Sequence, residues 1–250
     1  MKLSQLKIDP EFQSKIPPLQ FEEEQQLEQN IIAEGRLLSP IITWNGYILD
    51  GHTRYRILKK HGFIKFEVEE IQLANKYEAL AWICKNQLGR RNLSPERKKF
   101  LLGKEYESTK LAVGGQPGNC NKVNRCDQND HIDSEKRTCE RIAVEHGVGS
   151  ATVRRAEKYM NGVEAADEAA PGAREEILNG KIKAADREIC AIAKAPKEQR
   201  PEIVAELRKP KSERDKQLAS STKSPSVKVE SFDDDGSRFL IGISKKVQGH

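Results

Sequence analysis

One stretch limits the possible folds more than any other. Pro40 to Trp44 is rich in β-branched residues, Asn45-Gly46 follows, and Tyr47 to Leu49 is apolar again. Asn-Gly between two such runs is the strongest short-range hairpin signal. The second run ends in Asp50-Gly51, and a basic helical pattern begins at once with His52-Thr53-Arg54-Tyr55-Arg56. The stretch therefore reads as hairpin, tight turn, helix. Asp50 or His52 can close the strand and open the helix, and Gly51 permits close approach of a ligand to the backbone. The first helical turn has free N–H groups at the positive end of a dipole, with Arg54 and Arg56 close by, which suits an anion. A solvated basic turn is the plainer reading of the same residues.

Before this stretch, Pro10, Pro17 and Pro18 mark 1–20 as an irregular lead-in. Phe21 to Glu34 predicts a helix with an acidic first turn, Gly35 just past its end, and Leu27, Ile31 and Ile32 on a buried face. After the hairpin helix, which ends at His61-Gly62, Phe66 to Ile71 alternates as a third strand. Asn75 caps a helix to Leu88 that buries Ala79, Leu80 and Ile83. Ser94-Pro95-Glu96 opens another, running to Lys110. Residues 113–134 lack apolar periodicity and form a long flexible loop, too long to belong inside one compact domain. Beyond it the pattern is helical at 138–146, 150–160, 162–169, 172–179, 184–194 and 197–208. Pro171 opens one of these helices and Asn179-Gly180 closes it. Residues 209–250 are polar and mostly disordered, with a short strand at 238–243.

Charge adds direction. The net charge of +5 is mild, but Lys85, Arg90, Arg91, Arg97, Lys98, Lys99 and Lys104 face Glu96 alone within 85–104. Such a local excess favours a polyanion partner over a merely solvated face. No run is apolar enough to span a membrane and the N-terminus has no signal-peptide core, so the expected location is cytoplasmic. Five cysteines in that compartment argue against a disulfide framework. Cys120, Cys126, His131 and Cys139 lack the short cysteine knuckle of zinc sites, so no metal site is expected.

A second motif points to nucleic acid. Thr138 to Ala156 fits a helix-turn-helix. Ala143 is small where two helices cross, Gly147 allows a left-handed turn, and Ile142, Val148, Val153 and Ala156 can share a core. Ser150 can cap the second helix, which exposes Ser150, Ala151, Arg154, Arg155 and Lys158 as a DNA-binding set. Arginine can read guanine in the major groove, and Lys158 suits a phosphate. A plain helical hairpin needs the core positions but not the basic face.

Taken in order, Leu37 to Ile41, Ile48 to Arg56, Asn86 to Pro95 and the helix-turn-helix resemble ParB/Spo0J/KorB-type proteins over about 1–195. The resemblance implies an α+β fold: a small ParB/sulfiredoxin-like α/β domain at 1–92, an all-α DNA-binding domain at 93–208, and the polar tail. In the partition proteins the first domain binds CTP and drives clamp closure on DNA. Gly51, His52, Thr53 and Arg54 match the family's Gly-Glu-Arg-Arg phosphate motif, with Gly51 and Arg54 kept. Asn86 to Arg90 match its Glu-Asn-x-x-Arg motif, with Arg90 kept, Arg91 beside it, and Asn86 in place of the acid near magnesium. The resemblance thus implies a nucleotide site at Gly51, His52, Thr53, Arg54, Arg90 and Arg91, taking CTP with Mg2+. Lys98 and Lys99 add phosphate contacts. Implied partners are double-stranded DNA, a second copy of the chain and a ParA-type ATPase, in partition or regulation of a plasmid, phage or mobile element. The Asp-Gly-His-x-Arg variant also occurs in ParB-like proteins labelled nucleases. That leaves a nuclease or nucleotide hydrolase centred on Asp50, His52 and Arg54, and a ligand-sensing transcriptional regulator, as alternatives.

Overall fold

A three-stranded sheet in the order β2-β1-β3 carries the N-terminal half of the chain. The computed structural model describes residues 2–90, 93–112, 138–210 and 213. The loop at 113–134, with Cys120, Cys126 and His131, and the strand expected at 238–243 lie outside the described residues. Strands β1 (Ile41–Trp44) and β2 (Tyr47–Asp50) form the expected hairpin. Asn45 and Gly46 both have positive φ, 48° and 75°, as a type I′ turn requires. Strand β3 (Val68–Glu70) runs parallel to β1, so the chain crosses over between β2 and β3 through helix α3 (His52–Lys60).

Ile48 and Leu49 are neighbours on β2, so they point to opposite faces of the sheet. Both are fully buried. Ile48 packs with Ile41, Tyr55, Ile57 and Ile31, the last from helix α2 (Phe21–Glu34). Leu49 packs with Phe12, Leu80 and Ile83, from helices α1 (Pro10–Gln13) and α4 (Lys76–Leu88). Helices therefore cover both sides of this small sheet.

Two expectations change here. The lead-in is irregular only in part, with no helix or strand over 14–20 but short helical pieces before it. Asp9 caps α1 through a 2.8 Å bond from the Glu11 amide, and Pro10 sits at the first helical position, where its missing N–H is not needed. Lys7 exchanges backbone bonds with Gly46 and Ile48, both 2.9 Å. On α2, Ile31 is buried but Ile32 is exposed. Beside the Ile31 contact, that helix also meets α3 and its end through charge, with Glu24 accepting from Arg56, and Glu28 meeting Lys60 and His61.

Asn75 caps α4 as expected, accepting from the Tyr77 and Glu78 amides at 3.0 Å. Ser94 Oγ accepts from the Arg97 amide at the start of α5 (Pro95–Ala112). A helix at 138–145, α6, leads by a turn into α7 (Ser150–Ala169). The break expected between 160 and 162 does not occur. Gly162 continues α7, and its bare Cα lets the Ile189 backbone of α9 (Asp186–Lys194) come within contact. Pro171 lies in a turn rather than opening a helix; α8 (Ala173–Leu178) starts after Gly172, which has φ +90°. Helix α10 (Arg200–Arg208) closes the bundle. Its core holds Phe100, Tyr159, Met160, Val163, Ile177 and Ile189. The boundary expected at 92–93 falls between α4 and α5, which pack together, and residues 1–208 cluster as one unit. No helix among the described residues is long and apolar enough to cross a membrane.

Candidate functional site

Strand β2 delivers Asp50 to the rim of a cleft at the start of α3. Gly51 follows with φ +99°, a conformation that favours glycine. A Cβ there would meet Nε and Nη2 of Arg54 at 3.1 Å. The Arg54 guanidinium thus folds back against the backbone of Gly51. From there its Nη2 donates to Asp50 Oδ2 at 2.7 Å. Arg90, two residues past α4, donates through Nη2 to Asp50 Oδ1, also at 2.7 Å. Asp50 therefore does not cap α3, which has no side-chain cap at all; its carboxylate joins two arginines.

His52 opens α3 from a buried position with 5% exposure. Neither ring nitrogen has a hydrogen-bond partner among the described residues. Burial pushes its pKa down to about 4, against a smaller opposing pull from Asp50. A neutral imidazole still offers one N–H donor and one acceptor. Gly51, His52, Thr53, Arg54 and Arg90 all line a cleft of about 270 Å³, so the five come together as the motifs implied. Arg91 lies outside the described residues. Arg56 turns away to Glu24, and Asn86 is exposed and does not line the cleft. Pro17, Leu19 and Arg90 also line an adjoining cleft of about 820 Å³ that includes Arg97 and Lys181. The role of Pro17 and Leu19 as cleft wall has no local sequence signal, because it depends on how the lead-in folds back.

These residues suit phosphate groups: two guanidinium groups beside a helix N-terminus. They suit magnesium less well. Asp50 is the one carboxylate among the described residues lining the smaller cleft, and both its oxygens accept from arginine.

His52 makes stability depend on pH. Its folded pKa lies below the usual 6.5, so the unfolded chain takes up a proton first as pH falls. The stability held above pH 6.5 is lost as pH drops toward 4, by about 3 kcal/mol. Urea unfolding of wild type and His52→Leu across pH 7 to 4 checks this. The wild type should lose more stability than the variant over that window, and parallel curves would refute the burial argument.

The second candidate surface is separate from this cleft. Helices α6 and α7 share a core of Cys139, Ile142, Ala143, Val153 and Ala156, with Leu102 and Tyr106 of α5 beneath and Val148 against it. Gly147 has φ +64°, and the Val148 amide donates to the Ala143 carbonyl at 2.9 Å to close the turn. Ala151, Arg154, Arg155 and Lys158 are exposed on α7. Ser150 is half-buried and is the first helical residue; Gly149 holds the cap position, so Ser150 is not the cap. Cys139 is buried and donates its thiol to the Ser150 carbonyl, so it is core rather than loop. Lys98 is exposed, whereas Lys99 pairs with Asp186 at 2.7 Å.

The turn is anchored by residues the local motif does not contain. His146 Nε2 lies 2.8 Å from Oε2 of buried Glu105 on α5, and Glu145 pairs with Lys85 of α4. Glu105, Glu145 and His146 lie close enough to hold a metal. The Lys85 and His146 contacts already account for both carboxylates.

Solved structures share this architecture. A pNOB8-like ParB N-domain matches with a TM-score of 0.50 and 18% identity, over 86% of this chain and 86% of that one. A further structure of a pNOB8-like ParB N-domain gives a TM-score of 0.45 and 15% identity, over 89% and 95% of the two chains. No protein-family model and no curated protein matches the chain. The chain has a ParB N-domain-like fold, mixed α/β as expected. The first likeness extends well beyond residue 92, so it includes helices of the bundle.

Proposed function

We propose that the protein is a ParB-like DNA-binding protein acting in partition or regulation of a plasmid, phage or mobile element. The observation that carries this reading is the face of α7. A helix that buries Val153 and Ala156 against α5 and α6 leaves Ala151, Arg154, Arg155 and Lys158 outward after a glycine turn. That arrangement suits a helix-turn-helix in which the second helix enters the major groove, the arginines meet base edges and Lys158 meets a phosphate. The ParB N-domain-like fold supports the same reading. The Gly51–Arg54 turn with Arg90 is proposed as the nucleotide site, with CTP as the ligand that the family resemblance favours. A homodimer on double-stranded DNA and a ParA-type ATPase are the partners this reading entails.

The test is a gel shift against a DNA site selected from random sequence. Arg154→Ala with Arg155→Ala should abolish preference for that site while leaving weak, salt-sensitive binding through phosphate contacts. An unchanged ratio of selected to random binding would remove α7 as the reading helix. Genome-wide chromatin immunoprecipitation separates the two roles: spreading over kilobases indicates partition, and a sharp peak at the protein's own gene indicates regulation.

A further inference from the structure

The cleft at the start of α3 already contains an anion of the chain's own. Asp50 gives one oxygen to Arg54 and the other to Arg90, each at 2.7 Å. These are charge-assisted bonds, stronger than neutral ones. The Asp50 and Arg54 side chains are only 16% and 18% exposed, which limits screening by salt. In the same cleft, His52 holds two ring nitrogens without partners at 5% residue exposure. The cleft thus pairs a buried imidazole in its wall with two arginines, each with an Nη2 donor engaged.

An incoming anion can use the other guanidinium N–H groups, but one that takes these two Nη2 donors displaces Asp50. It then sits beside an unpaired carboxylate, and like charges at that range repel. A single small anion that replaces one arginine bond gains little against this. A polyanion can replace both bonds at once.

Resting on the phosphate-site reading above, we infer that Asp50 is a resident counter-ion that selects polyphosphate ligands over orthophosphate. Its carboxylate sets the threshold an incoming anion must exceed, and its release frees Arg54 and Arg90 together.

Calorimetric titration of the full chain with inorganic tripolyphosphate and with orthophosphate tests this. The wild type should bind tripolyphosphate and discriminate against orthophosphate. Asp50→Asn should bind orthophosphate about tenfold tighter and narrow the ratio between the two. Asp50→Glu, which keeps the charge, should keep the discrimination. If Asp50→Asn binds both anions no tighter than wild type, Asp50 only positions the arginines and the inference fails. If wild-type tripolyphosphate binding is unaffected by Arg54→Ala and Arg90→Ala, or neither anion binds any form, the phosphate-site reading falls with it. Should Asp50→Asn not fold, the wild type itself decides: its Asp50 carboxyl-carbon resonance must move when tripolyphosphate is added, and an unmoved signal overturns the inference.

Discussion

Replacing Gly103 with alanine is expected to destabilise the protein by about 3 kcal/mol, since overpacking a rigid contact is seldom relieved by side-chain motion alone. Gly103 lies inside α5, where alanine would ordinarily gain about 1 kcal/mol in helix propensity. Here the new Cβ would sit 2.3 Å from the Ala156 carbonyl oxygen and 2.8 Å from Met160 Cβ, both on α7. The obstruction is backbone, so the two helices must separate. A loss of that size lowers Tm by about 6 to 12 °C in a chain of this length. Because Ala156 lies on the same helix as Arg154 and Arg155, the shift should also weaken the proposed DNA binding. Gly89→Ala is the matched control. Gly89 has φ −69°, and among the described residues its Cβ would meet the Asn86 carbonyl oxygen at an ordinary 3.5 Å. Thermal unfolding should separate the two variants clearly, and equal midpoints would show that α5 and α7 do not pack this closely.

Glu164→Ala should have an effect of comparable size for an electrostatic reason. Glu164 Oε1 on α7 lies 3.0 Å from Lys104 Nζ of α5 and 3.5 Å from Lys15 Nζ of the lead-in. Both lysines are buried, at 9% and 6% exposure. Burial already lowers the Lys15 pKa, and the Glu164 carboxylate opposes that shift. Lys104 also has Glu107 at 2.6 Å, so Lys15 is the group left exposed to the change. Removing one partner of a buried pair costs about 3 kcal/mol, whereas removing both is often close to neutral. Lys15→Met combined with Glu164→Ala should therefore recover much of the loss. Urea unfolding of the two single variants and the double variant gives the coupling directly, and strictly additive losses would rule the pair out as the cause.

Neither effect could be read from the sequence, while other features could. Asn45-Gly46, Gly35, Asn75 and Ser94 mark their turns and caps because each acts through its own backbone or the next few residues. The shared core of Ile142, Val153 and Ala156 was also readable, since helical spacing puts Val153 and Ala156 on one face of α7 and the short turn at Gly147 folds that face back on Ile142 of α6. Local rules failed where distant chain segments meet. Pro10 looks like a breaker until Asp9 caps a helix over it and Phe12 finds the far face of the sheet. A break before Gly162 looks natural until α7 runs straight through it and the Ile189 backbone fills the space beside it. Ile32 has the right spacing for burial, but only Ile31 and Leu27 of α2 reach the core, and ion pairs such as Glu24–Arg56 flank that contact.

The candidate phosphate cleft divides in the same way. Sequence alone determined the tight turn at Gly51, the basic residues after it and the presence of Arg90 at the end of α4. These follow from residue type and short-range geometry. Only the tertiary structure decided that Asp50 ties Arg54 to Arg90, that Arg56 turns away to Glu24, and that His52 is buried and neutral. Charge pairing and desolvation act through space, and folding sets which groups lie within reach of one another.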